Sequence, residues 1–239
     1  MNGHFLARIA GFAMSGVLSV VSVPVLAQSS AAGDPNLSGF WINQYTPDLA
    51  RALGSQPPFS AYGAERWKTV DTAKDPTGRC LPPGPSRAFT APFPVQIVQT
   101  PEIIALLFEY QTIYRIVYMD GRDHPKDIAD YPEFMGHSVG KWEGDTLVVD
   151  TTGIDERSWL DTAGHEHSDK LHLIERFQLA DLNTIKWTVT YDDPVFFTTP
   201  WSITRTFTRG KAGDRIMAYT CTENNKDVEH LVPNRPNLR

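Results

Sequence analysis

Apolar and polar side chains alternate through most of the second half of the chain, in short runs broken by Gly, Pro, Asp and Asn. Alternation at period two marks strands that turn one face to a core. It predicts strands over Val95–Gln99, Ile103–Tyr110, Thr112–Met119, Leu171–Leu179, Ile185–Asp192, Trp201–Arg209 and Arg215–Thr222, with an opening strand inside Pro35–Asn43. Residues 137–152 read as a hairpin turning at Gly144-Asp145. One short helix is expected at 62–73, where Ala64, Trp67, Val70 and Thr72 give a weak helical period. The proline-rich stretch Asp75–Pro94 reads as a long loop inside the domain, because the strand pattern resumes directly after it. About ten strands with one helix predict a mainly β fold, an antiparallel meander closed into a barrel. Closure removes free sheet edges and commonly leaves room for a ligand.

Single charges interrupt four otherwise apolar strand faces. They are Ile113-Arg115-Val117-Met119, Leu171-Leu173-Glu175-Phe177, Trp201-Ile203-Arg205-Phe207 and Ile103-Ala105-Leu107-Glu109. A lone buried charge is expensive, so it is paired or serves a purpose. If these faces line the lumen, Arg115 and Arg205 hold an anionic or carbonyl group beside Trp201, and Glu175 or Glu109 moves a proton. If they do not, Arg–Glu pairs fix register, and the opposite face with Tyr114 and Tyr118 becomes the lumenal one. Periodicity does not say which face is inside.

Residues 136–140 read Gly-His-Ser-Val-Gly, the G-x-S-x-G string of a serine-hydrolase nucleophile elbow. An elbow needs a helix after the serine, and here a hairpin follows. Ser138 is therefore expected to be an ordinary strand residue, with His137 on the other face. The next histidines are His165, His167 and His172, interspersed with Asp150, Asp155, Asp161, Glu166 and Asp169. His165 and His167 have a metal-ligand spacing if extended, but the following glutamate and later histidine of a cupin motif are misplaced. No metal is expected, and His165 and His167 are the residues that would hold one. His137 and His172 are candidate acid–base groups, since imidazole titrates near neutral pH.

Charge and the chain ends narrow the setting. Met1–Ala27 has Arg8 as its only Lys or Arg, an apolar run from Ile9, and Val25-Leu26-Ala27 as a cleavage site, which predicts a signal peptide and an exported protein over 28–239. The polar residues of the run argue against a stable membrane anchor. A net charge of −6, without a basic cluster, argues against nucleic acid as partner. In an exported chain Cys80 and Cys221 are expected to pair, tying the proline-rich loop to the last strand.

Several longer motifs carry a resemblance. Asn36-Leu37-Ser38-Gly39-Phe40-Trp41, the stretch Met119–Pro125, the run Met135–Gly153 and the segment His165–Phe177 resemble a large, largely uncharacterised family of exported bacterial proteins with lipocalin-like barrels. The resemblance spans residues 36–225 and implies the barrel and the compartment. It implies no reaction. No nucleotide-binding glycine pattern, Schiff-base lysine motif or haem motif is present, so catalysis is expected without a cofactor, on Arg, Glu, Tyr and His side chains. The leading expectation is a cofactor-independent lyase or isomerase acting on a small, partly apolar molecule in the lumen. Glu175, His137, Tyr118 and His172 are its catalytic candidates; Arg115, Arg205, Trp201 and Tyr114 are its binding candidates. By architecture this is similar to phenolic acid decarboxylases. A non-catalytic carrier and a Ser138 hydrolase are the alternatives.

Overall fold

The computed structural model describes residues 33–222. The expected signal peptide, 1–27, lies outside the described residues. Nine strands close into one barrel in sequence order: β1 Gly39–Asn43, β2 Val95–Gln99, β3 Ile103–Phe108, β4 Tyr114–Tyr118, β5 His137–Glu143, β6 Thr146–Thr152, β7 His172–Asp181, β8 Thr184–Asp192 and β9 Trp201–Arg209. The mainly β barrel is thus the fold that the alternation predicts, with two differences. The β4–β5 pair is parallel, Val117 facing Ser138, so the sheet is mixed and not a pure meander. Arg215–Thr222 is not a strand: β1 pairs with β9, which leaves no edge for it to join. Its backbone bonds to side chains instead, Met217 N–H to Glu109 Oε2 and Tyr219 N–H to Thr112 Oγ1.

The strand directions give the barrel two unlike ends. One end carries the tight turns after β2, β5 and β7. The other carries the long connections after β1, β6 and β8. A parallel pair needs a crossover of a dozen residues or more. Residues 119–136 supply it, running from the turn end back to the loop end between β4 and β5.

Three short helices decorate the loop end: α1 Leu49–Leu53, α2 Ala61–Lys68 and α3 Gly84–Thr90. Only α2 answers to the expected helix. The proline-rich stretch read as a loop holds α3, and all seven of its residues are buried. Phe89 stacks on Phe207 at 5.3 Å, meets Phe108 edge-on at 4.9 Å and leans on Trp187 at 5.1 Å. These three partners are inward side chains of β9, β3 and β8, so α3 plugs the loop end of the barrel. Ser86 of α3 donates to the Leu160 carbonyl and bonds the Tyr191 hydroxyl, each at 2.8 Å. Arg87 makes a two-pronged pair with Asp75, at 2.7 and 2.6 Å. Removing the Phe89 ring would cost about 3–5 kcal/mol, the usual range for a core aromatic.

Cys80 and Cys221 form a disulfide, as expected, with Cα atoms 5.4 Å apart. It ties the approach to the plug to the irregular segment after β9. Tyr219 of that segment stacks on Phe93 at 4.9 Å. No helix among the described residues is long and apolar enough to cross a membrane.

Candidate functional site

The inward faces of three charged strands are the ones expected: Arg115 with Val117, Glu175 with Leu173 and Phe177, and Arg205 with Trp201, Ile203 and Phe207. The fourth is corrected. On β3 the buried side chains are Ile104, Leu106 and Phe108, so Ile103, Ala105 and Leu107 point outward. Glu109 has left the strand, which gives way to a turn, and it accepts the Met217 N–H.

Arg115 and Glu175 are sealed in the core, with side chains 1% and 0% exposed, and they pair with each other. Arg115 Nε donates to Ser138 Oγ at 2.8 Å, and its Nη2 donates to Thr151 Oγ1 and Glu175 Oε2. Glu175 Oε1 accepts the Trp187 indole N–H at 3.1 Å. Arg115 Nη1 is buried without a hydrogen-bond partner among the described residues. Glu175 thus serves an internal network and does not face solvent. Trp201 packs on Tyr191 at 4.3 Å. Arg205 donates to Thr46 Oγ1 and to its neighbour's carbonyl, and burial lowers its pKa. Neither joins the Arg115 network.

Ser138 ends the elbow reading. It sits in β5, fully buried, bonded to Arg115 and to Thr151 Oγ1 at 3.1 Å. The two glycines of the string have packing roles. Gly136 turns the chain into β5 at φ +63°, and a Cβ on Gly140 would stand 2.6 Å from Met119 Sδ.

The other face of the same wall gathers His137, His172 and Tyr118, three of the four expected catalytic residues. Asp150, outward on β6, joins them, and the crossover brings in His124. His137 Nδ1 and His124 Nδ1 are 2.8 Å apart. His124 Nε2 lies 3.1 Å from Asp150 Oδ1, and His172 Nε2 lies 2.7 Å from the same oxygen. Tyr118 stacks on His137 at 5.2 Å, and the Arg122 guanidinium lies 3.9 Å over the Tyr118 ring. Arg122 is itself paired with Asp120. Tyr114 does not take part: it stands 66% exposed beside Leu107.

Proton bookkeeping gives this chain a direction. Asp150 only accepts, so both Nε2 atoms donate to it. A neutral His124 then keeps its lone pair on Nδ1, which accepts from His137 Nδ1–H. The free lone pair is on His137 Nε2. Burial lowers the His137 pKa, and the nearby Arg122 guanidinium acts in the same direction. The bond to Asp150 raises the His172 pKa against a smaller opposing effect of burial. Burial pushes Asp150 up, but the hydrogen bonds from His172 and His124 and the charge of His172 outweigh it and hold the carboxyl below its usual range. His137, reaching Asp150 through His124, and His172, bonded to it directly, have opposite tendencies, and that makes them an acid–base pair. The half-exposed positions of His124, Asp150 and His172 leave it open to a solute.

His165 and His167 do not share a ligand. His165 bonds Asp161, while His167 donates Nδ1–H to the Ser168 carbonyl and accepts from Ser158 at Nε2. Asp48, Asp161 and His165 do bring ligand atoms within 4.8 Å of one another. Backbone N–H groups occupy these carboxylates: Asp48 caps α1, and Asp161 accepts from Leu49, Gly164 and His165. Donors satisfy both carboxylates, which therefore act as caps.

Fold and site together define a plugged, closed barrel with a histidine–aspartate chain on its outer wall. No family model matches the chain, and no curated protein matches it. Among solved structures the chain is similar to a mutant form of the REP1-NXSQ fatty acid transporter, at 12% identity and a TM-score of 0.35, over 73% of this chain and 98% of that one. At that score the likeness says nothing of residues or ligand.

Proposed function

We propose that the protein is an exported, lipocalin-like barrel of the bacterial family its motifs resemble, and that its outer wall carries out cofactor-independent proton transfer on a small, partly apolar molecule, as a lyase or isomerase. The observation that carries the reading is the unbroken His137–His124–Asp150–His172 chain at 2.7–3.1 Å. His137 Nε2 is the base, and His124 with Asp150 stabilises the imidazolium it becomes. His172, held protonated by Asp150, returns a proton. Tyr118 offers a flat face next to the base. General acid–base groups of this kind contribute about 10²–10⁴-fold each.

The test is incubation in D2O with a panel of aromatic and aliphatic carbonyl acids and alcohols, read by mass spectrometry for mass loss or deuterium uptake. Turnover that disappears in His137→Gln supports the reading. Turnover that is unchanged in both His137→Gln and His172→Gln removes it, and loss on chelation would point to a metal instead.

One observation favours a second reading, a carrier. Arg115 Nη1 points no hydrogen at a protein acceptor inside the barrel, and a carbonyl or carboxylate reaching the lumen would satisfy it. The carrier reading predicts tight binding of a compound from the same panel, recovered unchanged after long incubation.

A further inference from the structure

His165, on the loop end, is a buried base that the outer-wall chemistry does not use. Its ring is fully buried. Nδ1 lies 2.6 Å from Asp161 Oδ2, and with Nδ1–H given to that carboxylate the lone pair is on Nε2. Nε2 has no hydrogen-bond partner among the described residues. Buried acceptors are seldom left unpaired, because each one forfeits its bonds to water. An aspartate-backed imidazole with a free Nε2 is also the arrangement that accepts a proton or a hydrogen bond from a bound molecule.

What covers this ring is attached chiefly at its start, where Ser60 N–H and Oγ donate to the Phe196 and Val195 carbonyls. The indole of Trp67 lies flat on it, with centroids 4.3 Å apart and planes 10° apart, and Phe59 stands 6.0 Å from both rings. Trp67 belongs to α2, in which only Gly63 is buried, pressed against the Phe196 carbonyl. A solvent-facing clamp, Arg66 to both oxygens of Glu166 at 2.8 Å, holds the outer side of the helix. A helix with so few buried contacts opens at low cost. Next to it lies a cleft of about 480 Å³ lined in part by Tyr62, Arg66, Glu166, His167, Val195 and Phe196.

We propose that α2 is the lid of a second binding site, whose ligand is a small aromatic molecule bearing an O–H or N–H donor. The ligand enters from the cleft when the Arg66–Glu166 clamp opens. It displaces the Trp67 ring, packs beside Phe59 and lies at the edge of the imidazole, so that its donor meets the in-plane lone pair of His165 Nε2.

The test uses phenol as probe and anisole, which has the same ring but no donor, as its match. Binding is followed by NMR of the 15N-labelled imidazoles in the whole protein, with the His165 signals identified by their loss in His165→Gln. In the unsubstituted protein phenol is expected to move the His165 Nε2 resonance and to bind about tenfold more tightly than anisole, the factor that 1.4 kcal/mol represents. Trp67→Ala, which removes the ring to be displaced, is expected to tighten phenol roughly tenfold and keep the preference over anisole. Arg66→Ala is expected to act in the same direction and less. The proposal is overturned if phenol and anisole bind equally, if the His165 nitrogen does not respond, or if binding occurs in Trp67→Ala alone, which would make the site an engineered void.

Discussion

Two polar networks lie back to back on one stretch of wall. Ser138 and Thr151 belong to the inner one; His137 and Asp150, each one residue away, belong to the outer. The inner set closes on itself: Arg115 and Glu175 pair in a core that excludes water, and Ser138, Thr151 and Trp187 take up most of their remaining bonds. The outer set is half-exposed, built on groups that change charge near neutral pH, and ends in a free lone pair. Period-two geometry makes the separation possible, since adjacent residues of a strand face different solvents. The same residue types therefore specify structure on one side and offer chemistry on the other.

The largest difference between the two should appear in stability. Arg115→Met strands Glu175 in the core and is expected to cost about 3–5 kcal/mol in urea unfolding. The double variant Arg115→Met, Glu175→Leu should regain most of that loss. A single-variant cost below about 1 kcal/mol would mean that the pair is hydrated and that the contrast fails.

Outer-wall substitutions should reverse the pattern. His137→Gln and His172→Gln are each expected to lower turnover in the D2O assay by about 10²-fold or more, while changing the unfolding free energy by less than about 1 kcal/mol. Loss of fold in either variant would merge the two networks into one structural unit.

The pH profile sharpens the assignment of roles. The base must be neutral, so activity falls as pH drops through the lowered His137 pKa. The acid must be protonated, so activity falls as pH rises through the raised His172 pKa. A bell around the ordinary imidazole value of about 6.5 follows. Asp150→Asn removes the group that raises His172, so its alkaline limb should move to lower pH. An unmoved limb would separate His172 from the reaction.

The smallest effect is on stability as a function of pH. The folded-state pKa of His172 is raised, so its contribution is fully present below the unfolded value of about 6.5 and is lost as pH rises through the folded value. For so exposed a pair this amounts to a few tenths of a kcal/mol. Unfolding curves of the protein and of His172→Gln on either side of that window would measure it.

Much of the wall was legible because alternation reports faces directly. Arg115, Glu175 and Arg205 each interrupt a clean apolar row, and those rows are the inner ones. Ile103–Phe108 misleads because Ile-Ile-Ala-Leu-Leu-Phe is apolar on both sides, so period two has nothing to register. Arg215–Thr222 has the composition of a strand, but pairing needs an edge, and barrel closure removed it. The plug α3 is short, holds proline and is buried all round, so no amphipathic period marks it. His124 was missed because alternation carries no strand direction. Only the parallel β4–β5 pair shows that residues 119–136 must travel the length of the barrel, and that passage brings His124 to His137. The length of this polar stretch between two strands was the available signal.

The link between Cys80 and Cys221 spans 141 residues, and the β1–β9 seam likewise joins the two ends of the described chain. Neither can form until all nine strands have been made. Until β9 and Cys221 arrive, the first strand has only β2 beside it and one edge open, and the approach to the plug is untied. Such long-range closures slow folding and prolong the exposure of unpaired strands. Strands can pair one after another from β1, but the barrel stays open until β9 meets β1. Its first and last strands complete it together, and oxidation then records that closure in a covalent bond.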